Sequence, residues 1–194
     1  MPSPVAHSLI GLAIAIAAMP RQWVPGISSL LRDHYGWVVA AVVLSNFPDI
    51  DYLPGILSGD LNVLHHGYTH SIGWIALSST AIALLTSSLG AAGLGRTFLL
   101  VFILQGSHLA LDMATHDGRA PFGIMVGWPI DDNYRQWPLL LFDRISKSNW
   151  SDFVNPVNMM AVMKECIICI PVLFIVWWWK KSHVNDQRDS TGGA

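Results

Sequence analysis

The chain has 194 residues, 52% of them hydrophobic and only 12% Asp, Glu, Lys or Arg, with a formal net charge of -2. A soluble domain spends about a quarter of its residues on charge, so this composition leaves too little polar surface for a soluble globule. No dense Lys/Arg block is present, which argues against nucleic acid as a partner, and the mean hydropathy of +0.43 points to the bilayer.

Five apolar segments follow in chain order. Residues 5–19 lie between Pro4 and Pro20; no basic stretch precedes them and more apolar segments follow, so they are expected to form a retained first helix, not a cleaved signal. Residues 35–48 end at Pro48, which cannot supply a helix-interior amide. Both segments are short for a full span, a mismatch that tilt or local thinning absorbs. Residues 71–89 and 96–114 flank the glycine-rich SLGAAGLGR, which allows only an antiparallel return. Residues 115–156 mix Pro, Gly, Asp, Asn and Trp. Trp128, Trp137 and the apolar run from Leu139 to Phe142 suit an interfacial flap, or equally an ordinary loop against the helices. The nineteen residues 161–179 span roughly 28 Å at about 1.5 Å each, and the following Lys180 and Lys181 with Trp177–Trp179 resemble an interfacial anchor. Inside this run, Cys166 and Cys169 read as packing residues in preference to a redox or zinc pair.

The expected fold is all-α: a polytopic membrane helix bundle of about four to five transmembrane or membrane-embedded helices. It forms a single domain over 1–181 with an interfacial loop region at 115–156 and a polar flexible tail at 182–194. An alternating topology puts Arg21, Arg32, Arg96, Lys180 and Lys181 at one end against Asp33, which favours that end as cytoplasmic.

The same topology gathers chemistry at the opposite end. His7 starts the first segment, Asp49 and Asp51 follow the second, His65, His66 and His70 precede the third, and His108 and Asp112 close the fourth. His108 and Asp112 are four apart and share a helical face. An extended or turn conformation of PDID puts Asp49 and Asp51 on one side. Charged groups in a membrane are expensive, and adjacent carboxylates repel unless a cation or shared proton relieves them. Imidazoles mixed with carboxylates suit a divalent metal, zinc first, with manganese or iron behind it. Seven candidate ligands, His7, Asp49, Asp51, His65, His70, His108 and Asp112, allow one ion or two. Asp49 or Asp51 is then the candidate base, and His66 or His116 the candidate proton donor. Asp117, Arg119 and Arg135 lie close enough in sequence to meet a substrate, and Thr69 and Ser71 are candidate caps for the third helix.

These motifs resemble the membrane-bound metal-dependent hydrolases of the YdjM type, found in bacteria and archaea and distantly similar to zinc-dependent phospholipases C. The resemblance rests on His7 with Gly11, on LSNFPDID at 44–51, on HHGYTHS at 65–71 and on QGSHLALDMATHDGRAPFGIMVGWP at 105–129. Three positions depart from the pattern: His66 replaces an arginine, Tyr52 stands where a histidine usually follows PDID, and His116 follows Thr115 where proline is common. The resemblance implies a membrane-bound hydrolase of a phosphoester or related bond in a membrane lipid or lipid-like substrate; the alternating topology makes it a multi-pass protein of the cell membrane with its site on the extracytoplasmic side. Two other classes fit the residues: a metal or ion transporter, which needs polar access from both faces, and a noncatalytic structural or partner-binding membrane protein.

Overall fold

The computed structural model describes residues 1–20, 32–58, 66–118, 120–146 and 155–191, the side chains of 183–191 excepted. His65, Arg21 and Arg119 lie outside the described residues. Within them there are six α-helices and no strand: α1 Pro4–Ala18, α2 Tyr35–Ser45, α3 Tyr52–Ser58, α4 Ile72–Ser88, α5 Leu94–Met113 and α6 Pro156–Thr191. Each of the five apolar segments becomes a helix. Two, Leu94–Met113 and Pro156–Ser182, are long and apolar enough to cross a membrane, and the other three are shorter apolar helices. The backbone of α6 continues to Thr191 and takes in most of the segment read as a flexible tail. PDID is not extended: Phe47–Asp51 forms a 3-10 turn that runs into α3.

Helix α1 is the hub, packing on α6, α2 and α5, while α4 and α5 form the antiparallel hairpin expected from their short connection. Small residues let the helices approach closely. A Cβ added to Gly11 would sit 2.5 Å from both Cβ and Oγ of Ser45, so the α1–α2 crossing requires glycine there. Helix α1 opens on Ser3, whose side chain accepts from the Val5 N–H, and Pro4 supplies a preset first turn.

Two contacts with α6 fix α1 at both ends. Ser3 donates its N–H to Glu165 Oε1 at 2.8 Å and its hydroxyl to Oε2; Glu165 is buried. At the other end Lys180 Nζ donates to the Ala17 carbonyl at 2.5 Å, and Arg96 donates to the Ala18 carbonyl at 3.3 Å. A carboxylate thus faces the positive end of the α1 dipole and two cations its negative end. The same contacts show that α1 and α6 run parallel. Cys169 packs with Ala6, Ala114 and Phe142, in keeping with a packing role.

The segment after α5 folds back over one end of the bundle. Ile72 and Gly73 donate N–H groups to the Val126 and Trp128 carbonyls at 3.0 Å, so the loop satisfies the orphan amides of α4. Trp137 and Leu141 donate to the Met113 and Ala114 carbonyls at 2.9 and 2.7 Å, doing the same for α5. Ser71 caps α4 as expected, accepting from Trp74 N–H, whereas Thr69 turns away to donate to Asp51.

Replacing Gly11 by Leu is expected to destabilise the protein by about 2 kcal/mol or more through overpacking. Gly95→Leu, where an added Cβ meets nothing within 4 Å, should leave thermal unfolding in detergent unchanged. Equal unfolding temperatures for the two variants would contradict the close α1–α2 crossing.

Candidate metal centre

Six of the seven candidate ligands fall within the described residues, and they meet at the loop-covered end. His7, His70 and His108 are 0% exposed, Asp112 is 3% exposed, and the Asp49 side chain is 11% exposed. His70 Nε2 and His108 Nε2 face each other at 3.3 Å. Asp49 Oδ1 lies 3.6 Å from both, and Asp112 Oδ2 lies 3.4 Å from the first and 3.3 Å from the second.

The second nitrogen of each ring identifies the tautomer that suits a ligand. His108 Nδ1 sits 2.8 Å from the Ser45 carbonyl, an acceptor left free at the end of α2, so it carries the hydrogen. His70 Nδ1 lies 3.2 Å from Asp51 Oδ2, which also accepts the Thr69 hydroxyl at 2.9 Å. Asp51 stands behind the His70 ring, outside both sets of converging ligand atoms and in position to orient the imidazole. A carboxylate or carbonyl behind a histidine fixes its orientation and raises its basicity.

With both Nδ1 atoms protonated, the two Nε2 atoms present lone pairs to each other and to two carboxylates. Among the described residues, Asp49 Oδ1, both oxygens of Asp112 and both ring nitrogens of His7 lack a hydrogen-bond partner. Acceptors this close in an apolar interior require a positive charge among them. Two sets of ligand atoms converge within 4.8 Å, His7–His108–Asp112 and Asp49–His70–His108, so the buried groups can hold a metal ion. His7 stacks on His108 with ring centroids 3.7 Å apart and reaches Asp112 Oδ1 at 3.6 Å. Asp112 thus turns one oxygen toward His7 and the other toward the His70–His108 pair.

Burial alone lowers the basicity of His70, but the Asp49 and Asp51 carboxylates outweigh it and push the imidazole up to about 9. Without a metal, a proton on His70 supplies part of the missing charge. His66 stands beside this group, its ring centroid 5.5 Å from that of His70, in a positive-φ backbone conformation at 70°. It turns to Asp117 Oδ2 at 3.4 Å, and burial holds it below its ordinary value while Asp117 offsets part of that shift. His116 is exposed and outside both ligand sets, and Arg135 is engaged with Asp131. The Asp117 partner of His66 was visible in sequence only as proximity. The carbonyl partner of His108 left no side-chain signal at all.

The fold and site define a membrane protein of the all-helical class, with buried histidine and aspartate groups able to hold a metal ion. The chain belongs to the YdjM inner membrane protein family, whose profile matches residues 1–184. It is similar to the inner membrane protein YbcI of Escherichia coli (strain K12), at 23% identity over 190 residues covering 93% of this chain and 99% of the relative. No solved structure matches it.

His70→Ala and His108→Ala are expected to abolish bound transition metal in protein purified from the membrane. Asp51→Asn should weaken affinity about 10–100-fold while Cys169→Ala leaves it intact, as measured by elemental analysis and chelator competition. Because a proton on His70 competes with the ion, affinity should fall about tenfold for each pH unit below 9, and metal uptake at pH 7 should release at least one proton. Calorimetry in buffers of different ionisation enthalpy reads that proton directly; a zero slope contradicts the assignment.

Proposed function

We propose that this protein is a multi-pass membrane hydrolase that cleaves a phosphoester or related bond of a lipid-like substrate at a divalent metal centre, with zinc as the leading ion. The observation carrying this reading is the convergence of two oriented imidazoles and two buried carboxylates at one end of an apolar bundle, with Asp49 Oδ1 and both Asp112 oxygens lacking a hydrogen-bond partner among the described residues. The His70–His108 pair forms one triangle with Asp49 and another with Asp112, with sides of 3.3 to 3.6 Å. Imidazole and carboxylate donors together suit zinc first, with manganese or iron behind it.

His70 and His108 would hold the ion with Asp49 or Asp112, and His7 with the far oxygen of Asp112 leaves room for a second. A divalent ion here supplies Lewis acidity, acidifying water and offsetting charge that develops on the substrate oxygens. The chain's own groups do the rest. Asp49 retains access to solvent and is placed to accept a proton from water. Asp51 and the Ser45 carbonyl keep the two imidazoles aimed. His66, held by Asp117, is the nearest candidate to return a proton to the leaving oxygen; exposed His116 is the weaker one.

The loop over this end carries Phe122, Ile130, Trp137 and Leu139 outward, Ile130 being 97% exposed. Such side chains suit the headgroup boundary and support access from the lipid surface. The cation-bearing opposite end, with Arg96, Lys180 and Lys181, supports an extracytoplasmic site by the positive-inside rule. The whole of 1–181 acts as one domain in this reading.

The test is hydrolysis of defined phospholipids and short-chain phosphoesters by metal-loaded protein in detergent. Activity should disappear with chelator, return with zinc, and fall at least about 100-fold in Asp49→Asn and about 1000-fold in Asp112→Asn. Stoichiometric metal without hydrolysis of any of these, together with metal flux into proteoliposomes, would replace this reading by transport.

A further inference from the structure

A second feature lies at the far end of the bundle. Helices α1, α2, α4 and α5 line a half-open cavity of about 400 Å³ whose walls include Trp37, Leu44, Ile82 and Leu104, with Thr97 and Arg96 at its polar end. That volume is within the range of small-molecule sites, roughly 300–1,000 Å³. The cavity extends along α5 from Arg96 to Leu104, eight residues or about 12 Å, and stops one turn short of His108. On α2 it ends at Leu44, the neighbour of Ser45.

The interior is unsuited to water or an ion. Thr86, one of the hydroxyl-bearing residues in the lining, already donates to the Ile82 and Ala83 carbonyls at 2.9 and 3.1 Å. A predominantly apolar lining of this kind favours an apolar occupant. The rim has the opposite character. Arg96 is exposed and spends one N–H on the Ala18 carbonyl, while a guanidinium carries five. Lys180 reaches the neighbouring Ala17 carbonyl at the same end. Asp33, the acid described nearest this end in sequence, is paired with Arg32 at 2.8 Å.

We propose that this cavity binds one acyl chain of an anionic phospholipid from the leaflet at that end, with the headgroup phosphate on Arg96. An apolar slot with the Arg96 guanidinium at its mouth matches that ligand at both extremities: the chain fills the apolar interior and the guanidinium meets a phosphate with paired donors. The headgroup lies at the opposite end of the bundle from the metal centre, so the bound lipid is not the substrate, and the proposal stands independently of hydrolysis.

Native mass spectrometry of detergent-purified protein, incubated with equal amounts of phosphatidylglycerol and phosphatidylcholine of the same chain length, tests it. One saturable phosphatidylglycerol adduct should persist at activation that strips the remaining lipid. Arg96→Gln should cut the preference for phosphatidylglycerol about tenfold. Ala40→Trp, which narrows the cavity from an exposed position on its wall, should remove the persistent adduct of both lipids. Retained metal content and helical circular dichroism in both variants show that the bundle is intact. A persistent adduct indifferent to both substitutions, one lost only with Arg96, or none in the wild type overturns the proposal. A dimer dissociating only in the Ala40→Trp protein would assign the cavity to a second copy and overturn it equally.

Discussion

The constraint on which this structure turns is electrostatic. Two imidazoles and two carboxylates are held 3.3 to 3.6 Å apart in an apolar bundle, so the carboxylate charge has to be offset by a proton on an imidazole or by a bound cation. In water such a group would spread apart; here the backbone does not let it. His70 is held by the turn before α4, His108 and Asp112 share one face of α5, and Asp49 sits in the turn after α2. A proton or a metal must enter for the folded state to be comfortable, so cation binding and folding are one linked equilibrium.

The rest of the bundle makes that convergence possible. Glycine at position 11 lets α2 approach α1, and this approach places the Ser45 carbonyl behind His108. The loop from Gly123 to Phe142 supplies acceptors to the exposed amides of α4 and donors to the last carbonyls of α5. Those are the two helix ends that carry His70 and Asp112. Covering the site and completing the helices are therefore the same set of hydrogen bonds.

Much of this was legible in the sequence because an up-and-down helix bundle converts order along the chain into position along the bundle. Apolar runs bounded by proline and glycine located five helices, and their alternation alone put His7, Asp49, His70, His108 and Asp112 at one end. What the sequence left open depends on direction, not depth. Asp49 and Asp51 are two residues apart and chemically identical, yet the 3-10 turn sends the first to the imidazole Nε2 pair and the second behind His70. His66 and His116 both stand beside strong motifs, but one turns to Asp117 and the other to the exterior. Glu165 was passed over inside its apolar run, although a carboxylate buried among such neighbours demands a partner, which proved to be the start of α1.

That partnership has a consequence for how the chain can vary. Glu165 and Lys180 grip α1 near its two ends, at Ser3 and Ala17, with sequence offsets of 162 and 163. One helix thus serves as a gauge for the other. An extra residue between Ser3 and Ala17 would advance the far end of α1 by about 1.5 Å and turn it by about 100°, so both grips could not close together. Side chains along α1 can drift so long as they stay small where α2 crosses, but its length cannot. The position of His7 is therefore measured out by a helix that supplies no member of either ligand set among the described residues.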